Sequence, residues 1–393
     1  MPGRLAFVSP RWPGEGAVGG AETLLRNLAV HARALGFDID FLTTCAQSHF
    51  SWENTLPPGV RDIDGLHVHY FPVDPRDVGR YLDIQSRIDR SVPISREEEE
   101  TWLANGVRSS ALDAHLAAHA ASYRAVLAGP YLFGLTVSAA RTLPAKTLLV
   151  PCLHDEPFAR LSAIRDIFSS VAGCLFNSPA ERELARELYS FPDARAAVVG
   201  MGLDPFDADP AAFADRHSIP APYVLYCGRR EPLKGTPLIC DYMLAFRQRT
   251  GRDVRVVFTG SGDIPADPAL LPAVLDAGFV SEQEKHEAMA GALAFIHPSL
   301  NESFGIVLLE SFLAGTPALV HAKSRVLVAQ CREANAGLWF RHYPDFESQL
   351  LYLLDHPSAR AALGQNGRAH VAREYAWPAI EAKFLRALNA LLP

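Results

Sequence analysis

Short apolar runs alternate with helix-length amphipathic segments along nearly the whole chain, and the alternation begins afresh near residue 223. Strand-like runs in the first half are 4–9, 37–43, 66–71, 124–128, 146–153, 172–177 and 196–200. In the second half they are 223–228, 254–260, 276–280 and 292–297. One intervening segment runs from Ala21 to Leu35. It carries Leu24, Leu25, Leu28, Ala32 and Leu35 on a common side, with Gly36 as the stop. Strand–helix alternation of this kind predicts parallel sheets covered by helices on both faces. Residues 200–222, rich in proline and aspartate, read as the linker between two such halves. The expected class is therefore α/β, with two Rossmann-like, doubly wound domains over 1–200 and 201–377. A length of 393 residues fits that count. Ligands of such sheets bind outside the strands' carboxyl ends. Two sheets facing each other would place the site in the cleft between them.

Composition narrows the class of partner. Lys and Arg total 37 against 44 Asp and Glu, a net charge of −7, which argues against a nucleic-acid binder. Apolar residues make up 49%, enough for a large core. The cysteines, at 45, 152, 174, 227, 240 and 331, form no C-x-x-C pair. They read as reduced thiols of a cytoplasmic protein, without disulfides or zinc. The N-terminus enters a strand with no signal-peptide pattern. The longest uncharged stretch, 125–140, is interrupted by Gly129 and Pro130. It is shorter than the ~20 residues a spanning helix needs. Contact with the inner face of a membrane stays open. Residues 73–110 form a polar excursion in which Ser95 and Glu98 fit a capping box, so one short helix is expected there. Residues 378–392 read as an amphipathic helix through Ile380, Phe384, Leu388 and Leu391.

Three clusters carry chemistry. Gly14, Gly16 and Gly19 match the spacing of a dinucleotide fingerprint, but Arg11, Trp12 and Pro13 separate them from the strand. The acidic residue expected at the end of the second strand is missing. A glycine loop leading into a helix can instead bring amides to a phosphate or sugar. Arg229 and Lys234 follow the first strand of the second half, between Gly228 and Gly235. Two cations at a strand end can converge on one anion. In the third cluster a strand ends near His297, and a buried helix is expected from about Ser303 to Ala314, stopped by Gly315 and Pro317. Glu310 falls inside that apolar helix. A carboxylate there needs either a core cation or vicinal hydroxyls such as those of a ribose. Glu302 precedes the helix, where free amides of Phe304, Gly305 and Ile306 favour anions. In the first half, His154, Asp155 and Glu156 end a strand. Asn177, Ser178 and Glu181 read as a structural capping box with Pro179 at the first helical position.

Glu302-x7-Glu310, with Arg229 and Lys234 ahead of it and Gly19-Gly20 before the first helix, resembles the signature of glycosyltransferase family 4, the group 1 glycosyltransferases. Gly260 and Gly262, and Gly278 to Val280, fall where that family has further loops of its nucleotide pocket. The resemblance runs end to end and is strongest over 223–320. It implies the GT-B fold, with the last helix, 378–393, crossing back to the N-terminal domain. It further implies retaining transfer of a hexose-type sugar from a UDP- or GDP-sugar, which is a co-substrate, with no bound metal and no other cofactor. The acceptor would be a glycan, a lipid-linked sugar or a small molecule. Carried over, Arg229 and Lys234 hold the diphosphate, Glu302 the sugar hydroxyls and Glu310 the ribose. His154 contacts the donor sugar or diphosphate and helps position the acceptor hydroxyl. Gly19, Gly20, Gly260, Ser303, Phe304, Gly305 and Ile306 line the donor site. After Thr316 the chain departs from the family's Gly-x-x-Glu pattern, with His321 to Ser324 in its place. Two other readings stay open: an NAD-dependent oxidoreductase or epimerase using Gly14, Gly16 and Gly19, and a catalytically silent GT-B scaffold.

Overall fold

The computed structural model describes residues 3–14, 19–220 and 222–392. The chain divides into two compact units, residues 1–202 with 377–393, and residues 203–376.

In unit 1 the chain order is β1 (Arg4–Val8), α1 (Gly20–Ala34), β2 (Asp38–Thr44), β3 (Gly59–Ile63), β4 (Leu66–Phe71), α2 (Val78–Asp89), α3 (Arg96–Asn105), α4 (Ser110–Ala118), β5 (Tyr123–Ala128), α5 (Gly134–Thr142), β6 (Thr147–Leu149), α6 (Ser162–Ser170), β7 (Gly173–Phe176), α7 (Pro179–Tyr189) and β8 (Ala196–Val198). The sheet runs β3-β4-β2-β1-β5-β6-β7-β8, parallel throughout except for β3 against β4. Near-continuous burial of β1, β2, β5 and β7 fits strands covered on both faces. One face packs Ala6, Val8, Val126 and Ala128 against α4 and α5 through Leu112, Leu116 and Leu135. A second core gathers Phe168 and Phe176 with Trp102 and Phe158.

Unit 2 contains α8 (Ala212–Arg216), β9 (Tyr223–Cys227), α9 (Thr236–Thr250), β10 (Arg255–Thr259), β11 (Val274–Gly278), α10 (Glu282–Gly291), β12 (Ala294–His297), α11 (Ile306–Leu313), β13 (Ala318–His321), α12 (Arg325–Ala334), β14 (Gly337–Phe340), α13 (Tyr343–Asp355) and α14 (Pro357–Glu374). Its six parallel strands run β11-β10-β9-β12-β13-β14. This is the 3-2-1-4-5-6 order of the Rossmann sheet, whose direction reverses between β9 and β12. Helix α15 (Trp377–Leu391) then belongs to unit 1. There Trp377 stacks on His31 at 3.5 Å and Glu381 meets the His31 Nδ1 at 2.7 Å.

Several sequence expectations change. The excursion holds two helices, α2 and α3, where one was expected. Its capping box is present: Ser95 accepts from the Glu98 amide, and Glu98 accepts from the Ser95 amide. Strands β3, β13 and β14 were not foreseen, and α11 starts at Ile306, not near Ser303. Residues 200–222 are not all linker, because α8 lies inside them. Gly16 of the dinucleotide match lies outside the described residues. Among the described residues no helix is long and apolar enough to cross a membrane. None of the six cysteines forms a disulfide.

Candidate active site

The reversal point of the unit 2 sheet is where the sequence concentrates its charged loops. Three of these loops are stitched together by glycines. Gly228 has φ +139, and its N–H donates to the Thr259 carbonyl at 3.0 Å. Gly260 has φ +107, and its N–H donates to the Gly278 carbonyl at 2.6 Å. A Cβ on Gly260 would sit 2.2 Å from the Gly228 carbonyl oxygen. Only glycine allows the ends of β9 and β10 this close an approach. Arg230 locks the same layer. Its side chain is 4% exposed, holds Asp276 through two bonds at 2.9 and 3.2 Å, and donates to the Gly262 carbonyl. It is the structural arginine of the pair. Arg229 stands half-exposed and pairs with its neighbour Glu231 at 3.2 Å.

Lys234 and Glu302 meet. Gly235, at φ +77, lies against Pro298 so closely that a Cβ would come within 2.8 Å of that ring. The β9 loop is thereby pressed onto the β12 loop, and the Lys234 ammonium reaches Glu302 Oε1 at 2.7 Å. His297, at the end of β12, places Nε2 3.7 Å from the same oxygen. Burial works against the Glu302 carboxylate, but the charges of His297 and Lys234 prevail and hold it down to about 2. Burial also lowers His297 below the ordinary histidine value. Arg229, by contrast, makes its ion pair with Glu231 and not with this cluster.

Helix α11 begins beside this pair. Gly305 is its N-cap in the left-handed region, φ +77, with no side-chain cap. The Gly305 carbonyl accepts from Leu308 and Leu309. The amides of the first turn have no intrahelical acceptor and form a positive end for an anion. Ser303 and Phe304 are buried, and the Phe304 carbonyl accepts from Gln330 at 2.5 Å. Farther along the helix, Glu310 meets Lys285 from α10, whose ammonium lies 3.1 Å from Oε1 and 3.0 Å from Oε2. Burial raises the Glu310 carboxyl, with Lys285 opposing. The ion pair to a core cation, one of the two sequence readings of Glu310, is therefore present. Lys285 also reaches Glu282 at 2.7 Å. Ligand atoms of Glu282, His286 and Glu310 lie within 4.8 Å of one another, so the lysine bonds two members of a trio that could otherwise hold a metal ion.

Unit 1 presents its own polar groups at strand carboxyl ends. His154, on the loop after β6, is partly exposed with Nδ1 3.7 Å from Glu156 Oε1. Glu156 accepts from the Tyr131 hydroxyl at 2.6 Å. Asp155 is exposed and paired with Arg160 at 2.6 Å. Gly19 caps α1 and Gly20 opens it. A Cβ at Gly19 would strike the Glu22 carboxylate at 2.2 Å, and Arg11 holds that carboxylate at 2.8 Å.

Sequence reasoning missed Arg230, Lys285, His297, Tyr131 and the Arg11–Glu22 pair. His297 was visible as the last residue of a strand beside Glu302. Lys285 had no local signal, because its partner lies 25 residues away on another helix.

Residues 213–370 match the family described as "Glycosyl transferases group 1". The second half of the chain thus carries a group 1 glycosyltransferase region. Among curated relatives, the D-inositol 3-phosphate glycosyltransferase of Frankia alni is 27% identical over 97% of each chain. The protein of the same name from Thermobispora bispora is 29% identical, with the alignment spanning 58% of either chain. Anabaena HepE, solved in complex with UDP and glucose, superposes with a TM-score of 0.71 at 14% identity, covering 98% of this chain and 99% of that one. The fold of the chain is GT-B, as the resemblance implied. Its departure after Thr316 is local. His321 ends β13, its Nδ1 accepts from the Lys323 amide at 3.2 Å, and α12 follows.

Proposed function

We propose that this glycosyltransferase moves a hexose-type sugar from a UDP- or GDP-sugar to an acceptor, with retention at the anomeric carbon and without a bound metal. The observation that carries the reading is the Lys234–Glu302 pair beside the uncapped N-terminus of α11. A departing nucleoside diphosphate gains negative charge as the glycosidic bond breaks, and a fixed ammonium with helix amides can stabilise that charge. In this reading Lys234 and Arg229 hold the diphosphate, and Arg229 turns from Glu231 to do so. Glu302, kept ionised, accepts hydroxyls of the transferred sugar. Glu310 exchanges part of its contact with Lys285 for the ribose diol. Gly260, Ser303, Phe304, Gly305 and Ile306 shape the donor loops. His154 contacts the sugar or the acceptor hydroxyl, and Gly19 and Gly20 bring amides to the ligand. Positive charge from Lys234, Arg229 and the amides serves the role a divalent ion has in other transferases.

The acceptor is a glycan, a lipid-linked sugar or a small molecule. The relatives' name makes an inositol phosphate the first to test. A cytoplasmic place, free or at the membrane's inner face, goes with a nucleotide-sugar donor. Thermal-shift titration with UDP, GDP, their sugars and NADH tests the donor. Stabilisation by UDP or GDP and none by NADH is expected, and the reverse would restore the oxidoreductase reading. Transfer that persists in EDTA, with product stereochemistry read by NMR, tests the metal-free retaining chemistry. Full activity of Lys234→Ala would remove the site assignment.

A further inference from the structure

Glu181 is more than a helix cap. Its amide donates to Ser178 Oγ at 3.1 Å, as a cap requires. The carboxylate, however, reaches past the helix to two strand ends. Oε1 accepts from the Leu153 amide at 2.6 Å, and Oε2 accepts from the Asn177 amide at 2.5 Å. Leu153 immediately precedes His154 on the loop after β6, and Asn177 follows the last residue of β7. The side chain is 1% exposed. The capping box of α3 shows the contrast. There Glu98 lies at the surface, bonds only its own cap amide, Ser95, and is paired with Arg87.

The loop carrying His154 is otherwise fastened at its start. The Val150 amide donates to the Ala128 carbonyl at 2.9 Å, and the Tyr131 amide donates to the Pro151 carbonyl at 2.9 Å. Cys152 then turns through the left-handed region at φ +52. Such a turn in a non-glycine residue persists where its surroundings hold it. The Leu153–Glu181 bond is the tie on the far side of that turn, one residue before the histidine.

We infer that Glu181 is a positioning residue for His154, clamping the ends of β6 and β7 so that the imidazole is presented in one place. The inference rests on His154 acting in the reaction, as proposed above. Burial raises the Glu181 carboxyl, and the Asn177, Leu153 and Ser178 amides oppose it by bonding the carboxylate form. Keeping that group in the core serves more than a cap alone needs.

The test is a double-mutant cycle in the full chain with Glu181→Gln and His154→Ala, using UDP-glucose as the donor probe. Glutamine keeps one acceptor oxygen and turns the other position into a donor facing an amide. Folded Glu181→Gln, checked by circular dichroism, should bind UDP as wild type does and keep its donor KM. Its kcat should fall on the order of 10- to 100-fold, the size of a small misplacement of a reacting group. Adding Glu181→Gln to His154→Ala should then cost almost nothing further. The Leu153 amide proton should resonate farther upfield in Glu181→Gln than in wild type, without any reaction being run. Wild-type kcat in Glu181→Gln beside a crippled His154→Ala would overturn this inference alone, as would losses that multiply. Wild-type kcat in His154→Ala would overturn the role of His154 and this inference with it.

Discussion

Replacing Lys234 by Met tests the site where its electrostatics are strongest. Glu302 is only 15% exposed, and its near neighbours are the Lys234 ammonium at 2.7 Å and the His297 Nε2 at 3.7 Å. The carboxyl is held at about 2 where an ordinary glutamate has 4.5. At about 1.4 kcal/mol per pKa unit, that gap is about 3 kcal/mol of stabilisation of the anion by its surroundings, Lys234 among them. Removing one partner of a buried pair costs about 3–5 kcal/mol. Lys234 keeps 30% exposure, so water screens the pair and the cost falls below that range, to about 2–3 kcal/mol. Hydrogen exchange at the β9 and β12 amides reads unit 2 by itself in a two-unit chain. The design is a four-corner cycle of wild type, Lys234→Met, Glu302→Gln and the double variant. A coupling of about 2 kcal/mol is expected. The pH dependence has a definite sign. The folded Glu302 value lies below the unfolded one, so its stabilisation is complete above about pH 4.5 and is lost as pH falls toward about 2. In Lys234→Met that loss should be smaller and should be complete at higher pH, because the folded value lies closer to the unfolded one. Additive single-variant effects, with coupling under about 0.5 kcal/mol, would refute the argument that Lys234 fixes Glu302 as an anion.

Gly260→Ala should lower Tm and weaken UDP binding more than tenfold by calorimetry, because φ is +107 and the new Cβ lies 2.2 Å from a carbonyl oxygen; the strain is at least about 1–3 kcal/mol. Lys285→Ala should uncover Glu282, His286 and Glu310 as a divalent-ion site, so zinc should raise the Tm of the variant and leave wild type unmoved. Trp377→Ala, which removes the ring stacked on His31 at 3.5 Å, should cost unit 1 about 3–5 kcal/mol by exchange at its own amides.

The two-sheet architecture was legible because parallel strands buried on both faces leave long apolar runs, as at β1, β5 and β9. The strands that escaped notice each had a reason. β13 and β14 are four residues long and merge with the apolar sequence around α11 and α12. β3 is polar and lies at the sheet edge. Its hairpin to β4 turns on Asp64 and Gly65, at φ +53 and +73. That Asp-Gly turn was a readable signal that the helical periodicity elsewhere obscured. In the site, charges close to a strand end stood out from sequence. The partners of those charges did not, because Lys285 and Glu310, or Glu181 and Leu153, meet only through the fold. Arg229 and Arg230 show the limit of spacing arguments. Adjacent arginines point one to solvent and one into a bidentate lock, and only packing decides which.

Helix α15 sets an order on the life of the nascent chain. It buries Trp377, Ile380, Phe384 and Leu388 in unit 1, yet all of unit 2 is translated before it appears. At about 5–20 residues per second, residues 203–376 occupy the ribosome for roughly 10–35 seconds. For that time unit 1 waits with its His31 ring uncovered and the face for α15 vacant. The first unit to emerge is therefore the last to be finished. Chaperone engagement during synthesis should concentrate on that vacant face, and a chain released early should be recognised by it.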